Sequence, residues 1–132
     1  MTTHEHIKEL IAQAEIDYGA AEALSKAGFY AQALFWAHLV LEKLCKALWI
    51  SVKQNVDYPY IHNLLRLLKE TDVTLSDEQT KFYATMNQFQ AVGRYTDDGK
   101  KLQQTVSKNT CERYLEKTQT QMQWLLQLMQ KT

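Results

Sequence analysis

The sequence predicts an all-α fold, an up-and-down antiparallel helical bundle of about five helices. Apolar residues recur at three- and four-residue steps along most of its 132 residues, the period of a helix with one buried face. Only four glycines and one proline interrupt them, and these are the strongest helix breakers. Hydrophobic residues at 45% and charged residues at 23% fall in the ordinary globular range, so residues 1–132 read as one domain with a real core.

The first helix is predicted from about His4 to Ala27. Ile7, Leu10, Ile11, Ala14, Tyr18, Ala21 and Leu24 form its stripe. Thr2 or Thr3 caps it, and Gly28 ends it by accepting positive φ. The second helix, about Tyr30 to Lys53, is the most apolar. Leu34, Ala37, Leu41, Leu44, Cys45, Leu48 and Val52 make one stripe, and Phe35, Leu39 and Trp49 run beside it. A helix apolar over so much of its circumference belongs at the centre of a bundle.

Asn55 to Pro59 reads as a connection, because the residue before proline is pushed out of helical geometry. A short third helix is expected from about Tyr60 to Glu70. Ser76 and Gln79 have capping-box spacing and open a fourth helix that stops near Gly93. Thr96 to Gly99 has the composition of a turn. The last helix is expected to begin between Gln103 and Ser107, with Cys111, Leu115, Thr118, Met122, Leu125 and Met129 in alternating four- and three-residue steps.

Fifteen basic and fifteen acidic residues balance to zero, which argues against a general charge-driven grip on nucleic acid and leaves room for a local basic pocket. Cys45 and Cys111 fall on apolar stripes and read as buried free thiols. The N-terminus lacks the basic and apolar regions of a signal peptide, and no apolar run is long enough to span a membrane, so a cytoplasmic location is expected. Glycine-rich phosphate loops, zinc-protease motifs and serine elbows are absent. No cofactor is expected, and His4 and His6 at the terminus make a poor metal site without further ligands.

The polar residues of interest lie on the most apolar helix. His38, Glu42 and Lys46 stand at i, i+4 and i+8, and so share one face, flanked by Phe35 and Trp49. Two readings are open: a solvated edge carrying an ordinary Glu42–Lys46 pair, or the border of a groove. His62 stands at the start of the third helix, where it packs on the preceding turn or joins that groove. Arg94 and Tyr95 close the fourth helix, where the dipole favours the arginine; a salt bridge from Arg94 to Glu42, Asp97 or Asp98 is the plain structural alternative.

These residues carry a resemblance. Ala21-x-x-Leu24, Gly28-Phe29-Tyr30-x-x-Ala33, Ala37-His38 and Leu41-Glu42-Lys43-Leu44-x-Lys46-Ala47-Leu48 are similar to the first helical hairpin of HEPN domains. His62-x-Leu64-x-x-Leu67 resembles the family's short third helix, and Arg94-Tyr95-Thr96-Asp97 its Arg-Tyr-Pro-Asp segment. The resemblance covers roughly residues 10 to 130 and fits the bacterial stand-alone type. It implies a helical bundle that commonly homodimerises, works with nucleotides or RNA, and is often encoded beside a minimal nucleotidyltransferase as a toxin–antitoxin pair.

Ribonuclease members carry Arg, four to six residues, then His. An Arg–His pair suits RNA cleavage because the imidazole moves a proton while the guanidinium stabilises phosphorane charge. Here Gly99, Lys100 and Lys101 occupy the positions after Arg94, and all four histidines precede it. Arg66 and Arg113 also lack such a histidine. Thr96 further replaces the family's frequent proline.

The expectation is therefore a non-catalytic homodimeric module that binds a nucleotide or RNA. Arg94 and Lys46 would contact phosphate, Tyr95, Trp49 or Phe35 would stack on a base, and His38, Glu42 and His62 would shape the cleft. One alternative is a ribonuclease using Arg94 with His38 or His62. The other is a protein-docking bundle with no small-molecule ligand; Trp36, Trp124 and Leu128 lie off the main stripes and suggest an exposed apolar patch.

Overall fold

The computed structural model describes residues 2–93 and 105–130. Within them the chain forms five α-helices and no strand. Helix α1 (Thr3–Lys26) starts where Thr2 Oγ1 accepts the Glu5 N–H at 3.1 Å. It ends at a turn in which Gly28 takes φ +90°, a conformation that a Cβ would strain. Helix α2 (Tyr30–Lys53) follows at once, so the two pack side by side as a helical hairpin.

Every other element packs against α2. Its expected stripe is buried from Leu34 to Leu48, and Ala33, Val40, Ala47 and Ile50 are buried on its other faces. Val52 is the exception: in the last turn of the helix it stands 39% exposed. Ala14 and Ala21 of α1 are fully buried against this hairpin. Between them Asp17 is buried too, and Lys43 of α2 neutralises it at 2.5 Å, as a buried carboxylate requires.

The chain leaves α2 through Gln54, whose φ of 53° is left-handed. Residues 54–63 then cross the bundle as an irregular strap. Helix α3 (Leu64–Glu70) begins four residues later than the sequence suggests, because Asn63 is its cap: Asn63 Oδ1 accepts the Arg66 N–H at 3.2 Å. His62 accordingly lies on the strap rather than in the helix. Helix α4 (Asp77–Asn87) has the expected capping box, Gln79 N–H donating to Ser76 Oγ at 3.1 Å and Ser76 N–H to Gln79 Oε1 at 2.9 Å. A 3-10 segment (Gln88–Gly93) carries it to the expected stop.

Helix α5 (Lys108–Gln130) follows Ser107, whose Oγ accepts the Thr110 N–H at 3.1 Å. Cys111, Leu115, Thr118, Met122 and Leu125 are buried as their spacing predicts. The Tyr18 hydroxyl donates to the Leu115 carbonyl at 3.2 Å and ties α5 to α1. Cys45 and Cys111 are free and buried, and burial pushes both thiols up, away from reactive thiolates. Trp36, Trp124 and Leu128 are partly buried against the core. Among the described residues, the exposed large apolar ones are Ile16, Phe29, Val52 and Tyr60.

Asn63 also joins α3 to α4. Its Oδ1 accepts from Asn87 Nδ2 at 3.1 Å, while Asn87 Oδ1 accepts the Leu64 N–H at 2.9 Å. Urea denaturation should show Asn63→Ala destabilised by about 1–2 kcal/mol, since a cap and an inter-helix bond go together. Ser76→Ala loses only its box, about 1 kcal/mol.

Candidate functional site

Helical spacing brings His38, Glu42 and Lys46 to one face of α2, and the strap lays His62 across them. Glu42 is the centre. Its Oε1 accepts from His62 Nδ1–H at 2.9 Å, and its Oε2 accepts from Lys46 Nζ at 3.0 Å. One turn earlier, His38 Nε2–H donates to the His62 carbonyl at 3.0 Å. His62 is thus held twice, by its ring and by its backbone.

This face is neither the solvated edge nor the open groove that the spacing left as alternatives. His38 is fully buried, and Glu42 and Lys46 are 6% and 8% exposed. The strap covers them. Tyr58 caps the ammonium of Lys46, whose Nζ lies 5.1 Å from the ring centroid, a cation–π distance. Tyr60 packs on Tyr58 at 5.8 Å between centroids and is itself 91% exposed. The His62 side chain remains 52% exposed.

His38 and His62 therefore have different chemistry. His62 gives its Nδ1–H to the carboxylate, which leaves Nε2 out of that bond on a half-exposed ring. His38 is sealed. Its Nδ1 lies 3.9 Å from Glu42 Oε1 and has no hydrogen-bond partner. Burial lowers its pKa below the ordinary 6.5, more than the nearby Glu42 carboxylate and Asn87 amide raise it. It positions the strap and touches nothing outside.

Trp49 stands apart from this cluster. It is buried, its indole N–H donates to Glu70 Oε1 at 3.4 Å, and its face is closed to a base. Phe35 is half-buried and packs edge-on against Trp36 at 6.4 Å. Arg94 and Tyr95, and the turn after them, lie outside the described residues. Sequence reasoning missed Tyr58, Tyr60 and Asn87. An asparagine before a leucine run could have marked Asn63 as a cap, but nothing local marks Asn87, whose partners lie 23 and 24 residues away.

Among the described residues, clefts also open elsewhere on the molecule. One, of about 330 Å³, lies between α4 and α5; another lies among Ile11, Ser51 and Met129 where α1, α2 and α5 meet. Neither is lined by the Glu42 cluster. Among the described residues, no group of three or more His, Cys, Asp or Glu is placed to hold a metal ion, and no helix is long and apolar enough to cross a membrane.

The family model of the HEPN domain matches residues 7–128, from α1 through α5. The chain belongs to the HEPN family. No curated protein and no solved structure matches it. As a HEPN domain its function is nucleotide- or RNA-related, and the Glu42 cluster lies inside the matched region.

The lowered pKa of His38 fixes the sign of one pH effect. Between the folded value and 6.5 the unfolded chain holds a proton that the folded chain does not. The stabilisation from this residue is complete above about pH 6.5 and is lost as the pH falls below it. Urea midpoints should therefore drop between pH 7.5 and 5.5, less so in His38→Leu. Glu42→Ala leaves the Lys46 ammonium buried without its counter-charge and should cost about 3–5 kcal/mol.

Proposed function

We propose that this HEPN chain is a cytoplasmic, homodimeric module that binds a nucleotide or RNA and does not cleave RNA by the Arg–His route. The observation that carries this reading is the spacing itself: none of Arg66, Arg94 and Arg113 is followed at four to six residues by a histidine. The geometry supports it further, because His38 is fully buried and out of reach of a substrate.

In this reading Arg94 is the main phosphate ligand, with bidentate geometry available to it. Lys46 is committed to Glu42 and serves the site by holding that carboxylate under His62. His62 Nε2 is a second phosphate or ribose contact, and Tyr95 and the exposed Tyr60 are the stacking surfaces. Calorimetric titration with ATP, GTP and a short RNA tests it. Binding that weakens about ten-fold in Arg94→Ala is expected, with a smaller loss in His62→Ala. Absence of heat with all three ligands at millimolar concentration contradicts the proposal.

The partner assigned to the dimer is a minimal nucleotidyltransferase, as in a toxin–antitoxin pair. A neighbouring reading frame with a Gly-Ser motif and spaced aspartates supports that assignment. Sedimentation as a monomer at micromolar concentration removes the homodimer.

A second reading is favoured by one observation. Glu42 orients the His62 ring by its Nδ1–H and leaves Nε2 out of that bond, the arrangement of a carboxylate-backed general base. An RNA-cleaving enzyme would then pair His62 with Arg94, with His38 excluded by its burial. Cleavage of structured RNA that disappears in both His62→Ala and Arg94→Ala would establish it; no cleavage by the wild-type chain rejects it.

A further inference from the structure

The cleft between α4 and α5 has a floor unlike the rest of the surface. Tyr114 of α5 is half-buried at its base, its ring stacked on Phe82 at 6.1 Å and 26° and leaning on Phe89 at 6.4 Å. Two cations gather on the same ring, the Arg113 guanidinium at 5.4 Å and the Lys117 ammonium at 5.5 Å. Lys81 faces the cleft from α4. Among the described residues, neither Lys81, Arg113 nor Lys117 forms an ion pair. Glu78 is the one acidic residue that lines the cleft among those described.

Polar groups are fixed beside the ring. Gln121 Oε1 accepts from the Tyr83 hydroxyl at 2.9 Å and from Gln79 Nε2 at 3.1 Å. Tyr83 is fully buried, and Gln79 is held in turn by the capping box of α4. These bonds lock the Gln121 amide with its oxygen inward and its N–H groups on the other side. The cleft thus offers an aromatic face, amide donors that cannot rotate away, and cations without an ion pair among the described residues. Its volume of about 330 Å³ lies at the small end of the range for small-molecule sites.

We infer that this cleft is a nucleotide subsite, in which a base lies against Tyr114 and its phosphate is held by Lys81 and Lys117. The inference rests on the reading of the chain as nucleotide-binding and adds a place that the Glu42 cluster does not include. A base is matched to Tyr114 because an aromatic ring accepts any planar π-face. It takes the place of the ammonium of Lys117, whose flexible stem lets it move to the phosphate. The Gln121 amide donates to an acceptor on the base edge.

The ligand chemistry is shared by a free mononucleotide and by one unit of an RNA strand. Amide and side-chain NMR of the full chain, titrated in parallel with AMP and with oligoadenylate, separates the two. Shifts at Tyr114, Gln121 and Gln79 with AMP support the cleft and assign it to a free nucleotide. The same shifts with oligoadenylate alone support it and assign it to a strand. Affinity should fall about ten-fold in Tyr114→Leu and comparably in the exposed pair Lys81→Glu/Lys117→Glu. The surface pair keeps the test valid should Tyr114→Leu disturb packing on Phe82. Shifts confined to the strap, or binding unaffected by both variants, overturn the cleft and leave the proposed function standing. No shifts anywhere with either ligand overturn both.

Discussion

The Glu42 carboxylate sits on the central helix where water scarcely reaches it, and the region around it is organised by the need to compensate that charge. Coulombic attraction in a poorly solvated site repays desolvation only when geometry and hydrogen bonds are good. Lys46 supplies the charge from one turn away, at 3.0 Å, and His62 supplies a second donor at 2.9 Å from a strap twenty residues further on. His38, on the same face, fastens the strap by its backbone. The outcome is a polar knot inside an apolar helix, with one half-exposed imidazole as its outlet.

That knot is tied to the whole fold. Helix α2 contacts every other element, so residues placed on it are held by the whole core. The strap has no regular structure of its own between Gln54 and Asn63, and it is anchored at His62, at Tyr58 over Lys46, and at the Asn63–Asn87 bond to α4. A ligand meeting Tyr60 and His62 therefore meets side chains on a fastened backbone. The cleft between α4 and α5 is built by different means, from a capping box, a buried tyrosine hydroxyl and stacked rings. The two places share no residue.

Most of the fold was legible because its signals are local. The stripes of α1, α2 and α5, the Thr2 cap, Gly28, and the Ser76–Gln79 box each depend on residues within a turn or two. Helix α3 starts later than its apolar pattern, which continues into Ile61, because Asn63 caps it. The site was half legible. Spacing put His38, Glu42 and Lys46 on one face, but whether that face meets water depends on a strap whose path no periodicity encodes. Nor does spacing show that Trp49, a candidate for stacking, is closed off by Glu70 and the core. Trp36, Trp124 and Leu128, off the main stripes, are partly buried against the core.

The central claim is that Glu42 and His38 together hold His62 in one orientation, and the ring protons report it directly. Long-range proton–nitrogen correlation of the histidine side chains at about pH 8, where ordinary imidazoles are neutral, reads which nitrogen carries hydrogen. His38 with its proton on Nε2 and His62 with its proton on Nδ1 are the predicted tautomers. A His38 protonated on Nδ1, or a His62 ring averaging between tautomers as a free side chain does, would contradict the claim.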